Sequence, residues 1–409
     1  MEQERSKPMR NADKDDVHGL KRKIVIPALS AEEEAQIRRY FEERVKRLQV
    51  VKSTVTPSGQ VLDWIPIESQ HPEKKIATPP TKLELRLPHQ EQGPVEFTKF
   101  ELEKPGVERG PEGTVPVLRK DIKSIRFNKN LDDFLSKHGH KTRTLMFDQG
   151  ASIEQPESGG PHDYTYTSQS VTCYGGEGWI SAYDPYTNYS DEFSLGQIAL
   201  LRNSNQGIQT LEAGHQEYRD LYGDWVPHLF VYYTTNGYTS NGDNVGGYNR
   251  DVDGWVQYSN SIYPGTIFSP TSTPGGAQYV MHIKYQLWQG NWWLACNGNW
   301  IGYYPASLFA PAGLRPQADR IDFFGEIVDS ASHSSATKTD MGSGYWAEYR
   351  WPYSGYMHNL QYQNDTAGHM TDYSSGSVWS TDTKEYDIEE HMNSGSSWGS
   401  YFWFGGPGA

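Results

Sequence analysis

Beyond residue 165 the chain is a succession of short runs in which apolar and polar side chains alternate, and this pattern constrains the fold most. The runs are separated by turn signals such as Asn236-Gly237 and Asn297-Gly298. Period-2 alternation is typical of half-buried strands, and Asn-Gly is a strong hairpin signal. No run alternates with a long helical pattern, which argues against a parallel α/β sheet. The clearest runs are residues 178–183, 229–234, 279–288 and 291–296.

The composition agrees with this pattern. Aromatic residues make up 13% of the chain, with 13 Trp and 27 Tyr, and there are 40 Gly. Tyr, Trp and Thr favour strands, and Gly favours the turns between them. We therefore predict an all-β fold, an antiparallel β-sandwich, preceded by a mostly irregular and partly helical segment. No apolar run approaches the length of a membrane span, so no membrane contact is expected.

The charge is divided unevenly along the chain. Residues 1–138 carry 26 Lys and Arg against 23 Asp and Glu, whereas residues 139–409 carry 11 against 28. An acidic, lysine-poor body argues against a nucleic-acid partner, which requires a basic surface. It is compatible with a protein that works in acid, because few lysines limit positive self-repulsion once the carboxylates are protonated.

The N-terminal part has a different character. Ser30 and Glu33 have the spacing of a capping box and open a helix with Ile37 and Phe41 on one face. A second short helix is predicted around residues 131–135. We therefore predict two parts. Residues 1–140 form a separable segment that consists of a disordered lead-in, a helix and an extended arm, and residues 141–409 form the β-sandwich.

Two glutamates stand out in apolar strands. Glu212 alternates with Leu211 and Ala213, which places it on the polar face of its strand, and Glu326 follows a glycine in the apolar run 320–328. Isolated acids in such strands are costly unless they are paired or functional. If the fold brings them together, they form a dyad with split pKa values. From the residues alone, two merely solvated acids remain the alternative.

Other familiar chemistry is missing from the sequence. It contains no glycine-rich phosphate loop, no paired-histidine zinc motif and no Cys-x-x-Cys, so we predict neither a cofactor nor a metal. A Gly-x-Ser-x-Gly match at 395–399 lies in a Ser/Gly-rich tail without the strand-to-helix context of a nucleophile elbow. The two cysteines, Cys173 and Cys296, either form one disulfide or remain free thiols.

From about Tyr174 onward the sequence resembles the neprosin family, glutamic peptidases that cleave after proline. The matching segments run in the same order over roughly 235 residues. They include Tyr174-Gly-Gly-Glu-Gly-Trp-Ile-Ser-Ala-Tyr-Asp-Pro185, Glu212-Ala-Gly-His-Gln216, Gly290-Asn-Trp-Trp-Leu294, Gly325-Glu-Ile-Val328 and Trp398-Gly-Ser-Tyr-Phe-Trp-Phe-Gly-Gly-Pro-Gly408.

The resemblance implies an acid-active endopeptidase with Glu212 and Glu326 as its catalytic acids. One carboxylate takes a proton from water, while the other, protonated, polarises the scissile carbonyl and then protonates the leaving amine. It also implies a zymogen, in which residues 1–140 act as an intramolecular inhibitor, and peptide substrates that contain proline. A secreted protein is expected on the same grounds, although Met1 to Asp16 is charged and has no signal-peptide core.

The resemblance also suggests substrate-binding residues. Gln216, on the same strand face as Glu212, and Gln278 are candidates for orienting the substrate carbonyl. His215 stands where the family commonly has Trp, so it is a candidate for shaping the cleft. Trp255 and Trp293 are candidates for a proline pocket, because aromatic rings pack well on a pyrrolidine ring. For each of these, plain surface or core packing is the alternative.

Two other functions stay open. The sandwich is either a non-catalytic carbohydrate-binding module, with aromatic rings that stack on sugars, or a glycoside hydrolase that uses the same two carboxylates. The stretch 147–171 is expected to be an insertion relative to the family, as a loop or a cover over the cleft.

Overall fold

A computed structural model describes residues 22–25, 29–73, 75–81, 83, 85, 93–120, 122, 130–137, 162–330, 336–374 and 376–409. The predicted all-β class is confirmed: antiparallel sheets dominate the described chain. No helix in these ranges is long and apolar enough to cross a membrane. The predicted boundary near residue 140 falls between the described ranges and stays a prediction.

The described elements include three α-helices and 22 strands. The helices are α1 (Ala31–Arg47), α2 (Leu131–Leu135) and α3 (Arg219–Tyr222). The strands before residue 140 are β1 (Lys52–Val55), β2 (Val61–Pro66), β3 (Val95–Phe97), β4 (Lys99–Phe100) and β5 (Thr114–Leu118). Those that follow are β6 (His162–Cys173), β7 (Gly175–Ser181), β8 (Phe193–Ser204), β9 (Gly207–Tyr218), β10 (His228–Thr234), β11 (Gly246–Tyr248), β12 (Val256–Gln257), β13 (Phe268–Ser269), β14 (Gln278–Trp288), β15 (Asn291–Cys296), β16 (Asn299–Pro305), β17 (Ala318–Val328), β18 (Gly355–Gln363), β19 (Met370–Asp372), β20 (Ser377–Ser380), β21 (Asp387–His391) and β22 (Tyr401–Gly405).

Two large sheets form the body. The seven-stranded sheet has the order β11-β10-β9-β8-β17-β6-β20. The ten-stranded sheet has the main order β12-β16-β15-β14-β7-β18-β22-β21, with β19 on β18 and β3 on β14. Residues 162–171, expected within an insertion, instead belong to β6, which pairs with β17 along its length. That part of the expectation is wrong, because β6 is an integral strand of the sheet; residues 147–161 lie outside the described ranges.

The two sheets pack face to face around one apolar core. Ile198 and Ile321 of the seven-stranded sheet lie against Gly176 of the ten-stranded sheet, where a Cβ would meet both side chains. Small residues at these positions let the sheets approach closely, as in other aligned sandwiches. Because side chains alternate along a strand, the neighbours of Ile198 and Ile321 point to the outer face of the seven-stranded sheet.

The N-terminal segment has structure of its own and docks on this body. Ser30 caps α1 in a full capping box with Glu33, as predicted. Strands β1, β2 and β5 form a separate three-stranded sheet. Strand β3 pairs in parallel with the start of β14, and β4 pairs with β13. The segment is therefore tied to the body by strand pairing as well as by side chains.

Both cysteines are buried as free thiols. Burial raises the pKa of Cys173 to about 12, which makes this thiol a packing residue rather than a nucleophile.

Candidate active site

Glu212 and Glu326 lie on the outer face of the seven-stranded sheet, with β8 between their strands. Glu212 pairs with Ala199 across β9 and β8, and Glu326 pairs with Leu195 across β17 and β8. Paired residues share a face, so both glutamates point away from the inter-sheet core. Gly214, next on this face of β9, is required by close packing: a Cβ there would lie 1.9 Å from the Gly196 carbonyl oxygen.

Lys137 joins the two glutamates. Its Nζ lies 2.7 Å from Glu212 Oε2 and 3.2 Å from Glu326 Oε2. All three side chains are fully buried. One ammonium group therefore contacts both carboxylates, which brings two acids 114 positions apart in the sequence into a single site. Lys137 belongs to the N-terminal segment and lies two residues after the end of α2.

Glu212 is held by a network of neutral donors besides Lys137. The Tyr238 hydroxyl donates to Glu212 Oε1 at 2.6 Å, and the Thr210 hydroxyl donates to the same oxygen at 2.9 Å. Gln197 Nε2 donates to Glu212 Oε2 at 2.8 Å, while its Oε1 accepts from Lys137 Nζ at 2.8 Å. Donors aimed at a carboxylate stabilise its charged form and fix its orientation.

Glu326 has a different environment. His162, the first residue of β6, places its Nδ1 2.8 Å from Glu326 Oε1. The imidazole is buried and stacks on the ring of Tyr164, with centroids 5.9 Å apart. The two glutamates therefore have different neighbours. Hydroxyl and amide groups donate to Glu212, whereas a histidine ring contacts Glu326.

Aromatic rings form the wall beside Glu212. Tyr232 pairs with Glu212 across β10 and β9, and Phe230 pairs with Gly214. Lys137 Nζ lies 5.4 Å from the Phe230 ring centroid and 5.7 Å from that of Tyr232, within cation–π range. The ammonium is therefore enclosed by carboxylates and ring faces.

Of the substrate-binding residues predicted from the sequence, Gln216 lies nearest to this arrangement. It is on the same face of β9 as Glu212, fully buried, and its Nε2 donates to the Tyr248 hydroxyl at 3.1 Å. His215 is on the opposite face, and its Nε2 lies 2.9 Å from the Ser181 carbonyl oxygen in the ten-stranded sheet. Burial lowers the pKa of His215 to about 4. Alternation along β9 groups His215 with Leu211 and Ala213, so its side chain lies between the sheets and not beside the glutamates.

The remaining candidates belong to the ten-stranded sheet or its edge. Gln278 begins β14 and bonds to Tyr183 and to backbone carbonyls. Trp293 is fully buried on β15, where it packs with Tyr303. Trp255 packs against Tyr304, with centroids 5.1 Å apart. The structure does not bring these three side chains together with the glutamates.

Among the described residues, no group of three or more His, Cys, Asp or Glu is placed to hold a metal ion.

Sequence reasoning missed Lys137, His162, Tyr238, Thr210 and Gln197 as site residues. Thr210 could have been found, since it lies two positions before Glu212 and therefore shares its strand face. Gln197 requires knowledge that β8 pairs with β9. Lys137, His162 and Tyr238 reach the site through long-range packing, and no local pattern marks them.

Fold and site together define a β-sandwich protein with a buried pair of carboxylates on one sheet. A sequence model of the family described as Neprosin matches residues 190–407, more than half of the chain, and the protein belongs to the neprosin family. This membership indicates a peptidase. The match contains both Glu212 and Glu326.

Two solved structures are weakly similar to the chain. A tetrameric galectin from Cinachyrella sp. (ball sponge) has 13% identity and a TM-score of 0.19, over 41% of this chain and 90% of the galectin. The apo Crh5 transglycosylase has 8% identity and a TM-score of 0.22, over 44% of this chain and 66% of that protein. Similarities at this level indicate nothing about the reaction.

Proposed function

We propose that the protein is an acid-active glutamic endopeptidase that cleaves after proline, made as a zymogen whose N-terminal segment closes the active site. The observation that carries the proposal is the contact of one ammonium group, that of Lys137, with both Glu212 and Glu326. Two buried carboxylates within reach of one group are arranged to act on one water molecule.

In the proposed reaction the two glutamates share one proton. The ionised carboxylate removes a proton from water, which then attacks the scissile carbonyl carbon. The protonated carboxyl donates a hydrogen bond to the carbonyl oxygen and later delivers its proton to the leaving nitrogen. The proton taken from water stays on the first carboxyl, so the pair still holds one proton after the amine has left. Transfer of that proton to the second carboxyl, directly or through solvent, restores the starting arrangement. Apparent pKa values then belong to the pair rather than to either residue.

The side chains around the glutamates support the assignment of one carboxyl as base and the other as acid. Tyr238, Thr210 and Gln197 fix the Glu212 carboxylate on the sheet, and His162 fixes Glu326. Groups locked by such partners hold reacting atoms in place without further ordering during the reaction.

Lys137 supports the zymogen part of the proposal. Its ammonium fills the space between the carboxylates, where water and the scissile bond have to lie. Neither carboxylate is exposed to solvent while Lys137 is present. Hydrolysis therefore requires the segment carrying Lys137 to leave.

The preference for proline is proposed from family membership, and the aromatic wall beside Glu212 fits it. Phe230 and Tyr232 present ring faces toward the position now held by Lys137. A pyrrolidine ring packs well against such faces.

The test is hydrolysis of a proline-containing peptide near pH 4 by the acid-treated protein. Glu212→Gln and Glu326→Gln should each lower kcat/KM by at least about 100-fold, the lower range for loss of general acid–base catalysis. Glu177→Gln is a matched control, since Glu177 is a strand glutamate paired with Lys284 on the other sheet. Unchanged cleavage by either dyad variant would refute the proposal.

A further inference from the structure

Residues 22–25 lie along residues 188–190 as a short extended peptide. Lys23 N donates to the Asn188 carbonyl at 2.9 Å, and Ser190 N donates to the Lys23 carbonyl at 2.9 Å. Val25 N donates to the Ser190 hydroxyl at 3.0 Å. The first two contacts are main-chain bonds, so any extended peptide can make them.

The side chain of Arg22 lies in a pocket formed by two aromatic rings and a carboxylate. Its guanidinium lies 4.9 Å from the Trp225 ring centroid and 5.3 Å from that of Tyr186. Nη2 is 3.5 Å from Glu217 Oε1, and Nη1 donates to the Trp225 carbonyl at 3.3 Å. Only 8% of the Arg22 side chain is exposed, and Glu217 is fully buried.

Glu217 is itself held in place. The Thr187 hydroxyl donates to Glu217 Oε1 at 2.7 Å, which orients the carboxylate from the same stretch that receives the peptide. Glu217 and Glu212 are both on β9, five positions apart. At about 3.3 Å per residue they lie roughly 17 Å from each other along the strand. Across the sheet Glu217 lies in the row of Ser194 and Ile327, next to the row of Glu326, but alternation points its side chain to the opposite face. The Arg22 pocket and the glutamate pair therefore use opposite faces of the sheet.

We propose that Tyr186, Glu217 and Trp225 form an arginine site for an extended peptide, filled here by residues 22–25 and open to a substrate peptide once the N-terminal segment has left. The use by a substrate rests on the proposed peptidase function; the binding itself does not. Two ring faces, a carboxylate and a carbonyl suit the planar, multi-donor guanidinium better than the compact ammonium of lysine.

The test uses the peptide of residues 19–26, which contains no proline, and binding at pH 7 measured by calorimetry. The protein is the chain without residues 1–28, compared with the full chain. The shortened chain should bind one peptide. The full chain should bind at least roughly tenfold more weakly, because its own Arg22 fills the site.

Three variants assign the binding to the site. The peptide with Arg22→Lys, and the shortened chain with Glu217→Gln or Trp225→Ala, should each bind roughly tenfold more weakly, as expected for loss of a desolvated cation–π or ionic contact. Equal binding of the Arg and Lys peptides, or equal binding by the full and shortened chains, would overturn the proposal.

A second comparison applies if the shortened chain does not fold. The full chain with Arg22→Ala should bind the peptide more tightly than the unchanged full chain, because its own segment has lost the side chain that fills the pocket. Equal binding there would also overturn the proposal. Since no bond is cleaved in these measurements, their outcome is independent of whether the glutamate pair hydrolyses peptides.

Discussion

Lys137 connects the N-terminal segment to the candidate catalytic residues, because its buried ammonium group contacts both glutamates. Its contacts with Glu212, Glu326 and Gln197 are all within 3.2 Å. Removing one partner of a buried ion pair typically costs about 3–5 kcal/mol, because the remaining charge is left without compensation.

We therefore expect Lys137→Ala to loosen the segment. The variant should lose its N-terminal segment at a higher pH than the unchanged chain, as followed by electrophoresis after incubation across a pH series. Lys46→Ala is the control, since Lys46 pairs with Glu43 in the exposed part of α1. Identical pH profiles for the Lys137 variant and the unchanged chain would exclude a role for this lysine in closure.

Glu192 gives the body a pH dependence of its own. Burial raises the pKa of this carboxyl from 4.5 to about 7, and nearby Asp329 and Asp191 act in the same direction. A carboxyl with a raised pKa in the folded state contributes stability that is complete below about pH 4.5 and is lost as the pH rises toward 7.

Glu192→Gln should flatten this dependence. The free energy of unfolding of the unchanged protein should fall by on the order of 2–3 kcal/mol more between pH 4.5 and 7 than that of the variant, since one pKa unit is worth about 1.4 kcal/mol. Denaturant melts at both pH values measure the difference. A variant with the same pH dependence as the unchanged protein would contradict this role.

At the residue scale the sequence predicted which acids to consider but not what surrounds them. Alternation placed Glu212 on the polar face of its strand, the apolar run 320–328 marked Glu326, and the family resemblance gave both of them a catalytic role. Lys137 and His162 could not be predicted, because each reaches the site from a distant part of the chain. His215 lies on the core-facing side of β9, the side that alternation along the strand indicates for it.

Helix α1 is one of the elements that anchor the N-terminal segment on the body. Arg44 pairs with Asp243 and, at 2.8 Å, with Asp253. Lys120, later in the segment, pairs with Asp251 at 2.7 Å. The charge difference between the two parts of the chain is therefore seen as ion pairs. Basic side chains of the segment contact acidic side chains of residues 243–253 in the body.

Arg44→Ala should weaken this docking. Partly exposed ion pairs contribute about 1 kcal/mol, so acid removal of the segment should be about fivefold faster. Arg39→Ala is a matched control in the same helix, because Arg39 pairs only with Glu32 among the described residues and both side chains are largely exposed. If both variants are processed at the rate of the unchanged chain, α1 docking does not limit the release.

At the element scale the local signals were sufficient for α1, α2 and the alternating strands. Strand β6 differs from the expected insertion: its Tyr and Thr residues favour a strand, whereas the comparison with the family indicates an extra loop. The pairing of β3 with β14 is a long-range contact within a Pro-rich region, and the sequence there reads as an extended arm.

For the whole molecule, acid acts in opposite directions on one docking contact of the segment and on two buried carboxyls of the body. Burial alone would raise the pKa of Asp243. The charge of Arg44 and hydrogen bonds outweigh this effect and hold the pKa of Asp243 below its ordinary value. The docking contact is therefore present above the ordinary value of 3.8 and is lost as the pH falls through the lower folded pKa. Two carboxyls of the body respond with the opposite sign, since burial raises the pKa of Glu192 to about 7 and that of Asp163 to about 6. Their contribution to stability grows as the pH falls through these values and is complete below the ordinary values of 4.5 and 3.8.

Acid treatment should therefore remove about one third of the chain. The expected new N-terminus lies between residues 125 and 170. Cleavage after Pro156 or Pro161 gives Glu157 or His162 as the first residue, and both cuts free Lys137 while leaving β6 intact. Mass spectrometry of the N-terminal peptide identifies the new first residue. An intact 409-residue chain with full activity in acid would contradict the zymogen proposal.

The most direct test of the central claim compares peptide hydrolysis at pH 4 by the processed protein with that of Glu212→Gln, Glu326→Gln and the double variant, each first processed by the unchanged protein and then separated from it. Residues that act as one unit are not additive, so each single variant should lose nearly as much kcat/KM as the double variant. Losses that multiply in the double variant, or a single variant that keeps most of its activity, would contradict a shared dyad.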